Sequence, residues 1–208
     1  MNKEESFENL YKKIDATSKT RFHAARRLRL HSKFSTYTVV IISLGLILIA
    51  LLQAFDLGNN IQSKLVGLIQ VFAAVAVLVY SLLIDKNDYS NFHEKMYSCA
   101  SRLGELKQKV HPCLGAEIHD NTRYDELLDD YHEILKLYET HTNNDFRGDY
   151  FRAKLEMPEN YPIKAMEWVR IKSLVIVLYI IDFISYPIVL GVLGFVIYWV
   201  LFGAPKVS

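Results

Sequence analysis

Three residues, His111, Cys113 and His119, carry the imidazole and thiolate groups that bind zinc. Their spacing matches no standard ligand pair, and a fourth ligand would have to come from elsewhere in the chain. Pro112 makes a helix-breaking turn here, which accounts for the cluster without a metal. A second group, Asp129, Asp130, His132 and Glu133, has the side chains for a divalent ion or for acid/base work. Consecutive helical residues point in different directions, so a solvated face is the favoured reading. The sequence has no phosphate-cradling glycine loop, no H-E-x-x-H and no G-x-S-x-G. No catalytic, metal or cofactor residue is assigned, and the chain is not expected to be an enzyme.

A different chemistry lies in the apolar stretches. Thr36, Ser43 and Ala50 recur every seventh residue, with Gln53 beyond them. Gly67, Gln70, Ala74, Val77 and Ser81 fall on one face of a second helix. Small and weakly polar stripes let helices pack closely, or they line a water-filled path. Two or three helices cannot enclose a water column, so a pore would be a homo-oligomer. Gln70 is expected to face a lumen or a partner helix, because an unpaired amide facing lipid is costly.

The elements that hold these residues are apolar blocks. The chain has 208 residues, 51% hydrophobic and 23% charged, with two cysteines, too few for a disulfide framework. Residues 34–55 and 65–84 are charge-free, and about 20 residues span the roughly 30 Å hydrocarbon core. Core helices of soluble proteins rarely stay apolar on all faces for that length. The connector DLGNNIQSK is turn-like. Gly58 can end the first helix in a left-handed conformation, and Asn60 or Ser63 can cap the second. The pair reads as a membrane hairpin over residues 34–84. A secretory signal is excluded, since its apolar region is shorter and sits near the start.

Charge sets the expected orientation. Residues 1–33, read as a basic amphipathic helix, carry roughly +5, and residues 85–170 roughly −5. Arg21, Arg26, Arg27, Arg29 and Lys33 precede the first span, whereas at the tip Asp56 and Lys64 cancel. Cation-rich short loops stay inside, so the N-terminus is expected in the cytoplasm and the tip outside. The same cations can contact anionic lipid heads. Direct nucleic-acid binding is not expected, since that reading leaves two apolar helices with no water-free place.

Residues 171–208 hold a third block, about 173–202, longer than a bilayer is thick. It contains Asp182, costly at mid-bilayer, and Pro187, which kinks a helix. A single span kinked at Pro187 is preferred to a re-entrant pair, with Tyr198 and Trp199 near the far interface. Residues 85–170 read as a cytosolic helical module. Tyr89, Phe92, Met96, Cys99, Leu103, Leu106 and Val110 form an unbroken seam of threes and fours, as in a coiled coil or long helical hairpin. His111-Pro112 ends it. Tyr124, Leu127, Tyr131, Ile134 and Tyr138 repeat the spacing, and Phe7, Leu10 and Ile14 can supply a third helix, continued by the polar Thr17 and Arg21. The whole is expected to be all-α: a membrane hairpin whose helices extend into a cytosolic bundle, plus a C-terminal membrane segment.

The order of these parts carries a resemblance. KTRFHAARRLRLHSKF leads into a charge-free helix, a tip, a second span and a helix with YSNFHEKMYSCASRLGELKQ. YETHTNNDFRGDYFRAK follows. This resembles the SLATT domain, a two-helix membrane effector domain of bacterial antiviral islands. The extra C-terminal block makes the chain most similar to the fifth SLATT subfamily, often encoded beside a reverse transcriptase. HTNNDF, residues 141–146, is the most distinctive local match, and its Asn143 or Asn144 suits a helix C-cap. The resemblance implies an anti-phage effector of the bacterial inner membrane that oligomerises on infection, permeabilises the membrane and arrests growth. It implies a trigger acting on the cytosolic helices, either a nucleotide signal or a partner such as a reverse transcriptase or a nucleotide-signal synthase. The alternative is a non-conducting scaffold that anchors a partner through the Tyr89–Val110 seam.

Overall fold

Apolar residues three and four apart give each helix a face to bury, and the chain takes that course throughout. The computed structural model describes residues 3–115, 121–138 and 147–203. Among them are seven α-helices and no strand: α1 (Lys3–Ala54), α2 (Lys64–Asn87), α3 (Tyr89–Val110), α4 (Asn121–Leu137), α5 (Arg147–Leu155), α6 (Ala165–Phe183) and α7 (Ser185–Phe202). A 3-10 turn, His111–Gly115, follows α3, where Pro112 was expected to stop it. The fold is all-α, as the spacing predicts. His119 and the HTNNDF segment lie outside the described residues.

Two compact units divide the chain. One comprises residues up to Arg29 and Ser90–Ile180, the other Leu30–Tyr89 and Ile181–Ser208. In the first, Phe7, Leu10 and Ile14 of α1 pack against Cys99, Leu103, Leu106 and Val110 of α3 and Leu127 and Tyr131 of α4. The polar members of the α1 stripe do not break it, because each finds a partner. Thr17 Oγ1 lies 3.1 Å from the Tyr131 hydroxyl, Ser18 donates to the Ala100 carbonyl at 2.9 Å, and Arg21 Nη1 lies 3.1 Å from Met96 Sδ. Satisfied polar groups of this kind are tolerated in a core, where unsatisfied ones would not be. The loop with Pro158 and Pro162 separates α5 from α6.

The second unit holds the hairpin and α7. Stretches of α1, α2 and α7 are long and apolar enough to cross a bilayer. Leu44, Val71 and Phe195 are each at least 60% exposed there, which makes sense only if their solvent is hydrocarbon. α6 is not among these candidates, since it carries Glu167, Arg170, Lys172 and Asp182. The expected kink at Pro187 takes another form. The helix is interrupted at Ile184, between α6 and α7, and Pro187 sits in the first turn of α7, where its missing N–H leaves no bond unmade. Asp182 thereby stays outside α7.

Candidate functional site: the membrane unit

The tip after α1 turns through two left-handed residues, Asp56 (φ 53°) and Gly58 (φ 129°). Ser63 Oγ accepts from the Leu65 N–H and so caps α2. Asn60, expected only as a cap, does something else. Its Nδ2 donates to the carbonyls of Trp199 (3.1 Å) and Gly203 (3.0 Å), and its backbone N–H donates to Val200 O at 3.2 Å. The last carbonyls of a helix have no partner within it, and here the tip supplies one. Beneath the tip, Ile49, Ile61, Val66 and Val200 form a buried cluster with Trp199 against it.

Lower down, α1 and α7 touch at Gly45, where an added Cβ would lie 2.8 Å from Leu193 Cδ1. At the end away from the tip the contacts are aromatic. His31 stacks on Phe183 with ring centroids 4.3 Å apart, and faces Tyr89 at 5.6 Å. Its Nδ1 lies 3.1 Å from the Tyr186 hydroxyl, and Tyr186 and Tyr80 line one cleft together. α2 is held near the tip by Val66 in the buried cluster, and Tyr80 marks its other end. Between them the cleft, of about 680 Å³, separates it from α1 and α7.

Of the stripe expected to line a pore or pack, only Val77 lines this cleft. Gly67 has open space where a Cβ would be, Ala74 is exposed, and Gln70 is half-buried with no hydrogen-bond partner among the described residues. Ser81 and Thr36 satisfy their hydroxyls on the carbonyls of Val77 and Ser32. Gln53 donates to Ile61 O at 3.4 Å and belongs to the tip. Ser43 is half-buried and Ala50 exposed. Gly191 and Gly194 both face open space within the chain. Gly45, Asn60, His31, Tyr80 and Tyr186 carry the contacts instead. Their signal in the sequence was weak: single residues in different helices, with no shared spacing.

The Tyr89–Val110 seam is used inside the chain. Met96, Cys99, Leu103, Leu106 and Val110 are buried against α1 and α4, and Phe92 at 37% exposure lies outside that core. The cations divide likewise. Arg27 pairs with Asp149 at 3.1 Å and Arg21 contacts Met96, while Arg26, Arg29 and Lys33 are exposed. Asp149 is 1% exposed, and Arg152 also reaches it at 3.4 Å. Burial pushes its carboxyl above the usual range, although both guanidinium ions act against that. Asp15 is similarly enclosed by Lys107 (2.6 Å), Lys19 (3.2 Å) and Asn160 (3.2 Å). Among the described residues no three His, Cys, Asp or Glu side chains gather as metal ligands would. Asp129, His132 and Glu133 are exposed, and Asp130 approaches Lys109 at 4.0 Å.

These features define an all-α membrane protein whose distinctive geometry lies in its apolar helices. The SMODS and SLOG-associating 2TM effector domain family 5 (SLATT) matches residues 3–200, and the chain belongs to that family of membrane effector domains. No curated protein and no solved structure matches it.

Proposed function

We propose that the protein is a membrane effector of bacterial anti-phage defence, whose copies associate in the inner membrane and open a path for ions when a partner or nucleotide signal acts on the cytosolic helices. The observation that carries this reading is Gln70. It stands in the charge-free stretch 65–84 of α2 without a partner among the described residues, near Gly67, which has room for a neighbouring backbone. An amide left in hydrocarbon is costly, and a second copy or a water column relieves that cost. Gly191 and Gly194 offer similar room on α7.

The exposed Arg26, Arg29 and Lys33 support an N-terminus inside. The tie between Asn60 and the end of α7 supports a third crossing, with residue 203 on the side of the tip. The scaffold reading has less support, because the seam it would use is already filled by the chain's own helices.

Induced expression with a potential-sensitive dye tests the proposal. Wild-type protein should depolarise the inner membrane once triggered, and Gln70→Leu should blunt depolarisation while the amount of membrane-inserted protein stays the same. Strong expression beside the genomic neighbours, under phage challenge, with unchanged potential would remove the pore reading.

A further inference from the structure

We propose that the cleft between α1, α2 and α7 holds one acyl chain of a membrane phospholipid. This goes beyond the effector reading and requires only that the three helices lie in a bilayer. The hollow exists because α2 presents Ala73 and Ala76 at mid-height, between the Val66 cluster near the tip and the larger Tyr80, which lines the other end with Tyr186. An apolar void forfeits the dispersion contacts of its lining, and water does not occupy the stretch along Ala73 and Ala76, which offers it no polar partners. Hydrocarbon is the solvent at hand.

Size and polarity select the occupant. From Leu68 to Tyr80 the cleft runs twelve residues along α2, roughly 18 Å at the helical rise. One leaflet contributes half of a hydrocarbon core of about 30 Å, so one lipid tail fits that length. The polar lining groups, Thr38, Tyr80, Ser185 and Tyr186, all lie at the end away from the tip. A phospholipid of that leaflet would place its ester region by these hydroxyls and its tail along Ala76 and Ala73.

Native mass spectrometry of the full chain extracted in detergent tests this, together with Ala76→Phe, which fills the hollow, and Val75→Phe, which lies outside it. Wild type and Val75→Phe should retain about one phospholipid per chain, and Ala76→Phe about tenfold less, having lost the site's contacts. Equal retention by all three overturns the proposal. Should Ala76→Phe fail to fold, wild-type protein in phosphatidylethanolamine vesicles doped with a mid-chain diazirine phospholipid decides. Labelling concentrated on Ala73, Ala76 and Leu193 supports the site. Labelling spread equally onto Leu78 and Val79, or an Ala76 contact crosslinked to a second copy, overturns it. A chain that retains lipid and fails to depolarise membranes would sink the pore reading and leave this one standing.

Discussion

The side-chain amide of Asn60 donates to the backbone carbonyl of Trp199 at 3.1 Å, tying the hairpin tip to the last turn of α7. The same amide reaches Gly203 O, so one side chain adds a second bond to Trp199 O, which already accepts the Gly203 N–H, and supplies a partner to Gly203 O. Asn60→Leu keeps the bulk and removes both bonds. Unfolding in detergent should show a loss of about 1–3 kcal/mol, the usual cost of stranding one partly buried acceptor, here Gly203 O. A variant as stable as wild type would mean that water replaces the amide.

At Gly45, α1 packs directly on Leu193 of α7. A Cβ there meets the methyl ends of Leu193, which can give way, so Gly45→Ala should be mild. Gly45→Leu overpacks the contact and should cost about 1–3 kcal/mol. Leu193→Ala in the same chain should recover part of that loss, since the two sites share one contact. Gly191→Ala, which faces open space, is the control for stability of the single chain. Additive losses for Gly45→Leu and Leu193→Ala would deny the contact.

The Arg27–Asp149 pair should show in the pH profile. Burial raises the Asp149 carboxyl above its ordinary 3.8, against the pull of Arg27, Arg152 and His23. A carboxyl raised by folding holds its proton better in the folded chain. Its contribution is therefore most favourable below the ordinary value and declines as pH rises through the folded one. Arg27→Met leaves a buried carboxylate with less compensation, so it should destabilise by about 3 kcal/mol near neutrality and by less at about pH 4. Asp149→Asn should flatten the profile over that interval. Thermal unfolding at both pH values is the measurement, and equal losses for Arg27→Met would contradict the assignment.

Lys107 behaves in the opposite sense. Burial lowers its ammonium, but the hydrogen bond and charge of Asp15, with Tyr11 beside it, more than offset this, and the net shift is upward. That stabilisation is complete below the ordinary value of 10.5 and fades as pH rises through the folded one. Lys107→Met should lower stability at neutral pH, and its deficit relative to wild type should shrink in strong alkali.

Met96 separates a folding seam from a docking seam. It is 3% exposed and packs on Ala24, Ala25 and Leu28. Met96→Asp buries a carboxylate among Ala24, Ala25 and Leu28 and empties the space the thioether fills, which Arg21 nearby only partly offsets, so it should deplete the folded protein, whereas Met96→Leu should cost under about 1.5 kcal/mol. A well-folded Met96→Asp chain that had lost only a partner would restore the docking reading.

Long apolar runs and the three-and-four spacing of Met96 to Val110 were legible in the sequence, because burial on one helical face and solvation by lipid are local properties of a segment. The stop at Pro112 was legible for the same reason. Which helix fills which seam was not. Thr17 and Arg21 looked like flaws in the α1 stripe until Tyr131 and Met96, more than seventy positions away, supplied their partners. Pro187 announced an interruption but not its place, since a proline fits as well in a first turn as at a kink. Gly45 facing Leu193, Asn60 closing α7, His31 among Phe183, Tyr89 and Tyr186, and the hollow beside Ala76 are relations between distant segments. Periodicity determines that a helix has a face to cover; only the tertiary fold decides what covers it, because contact depends on where another chain segment passes.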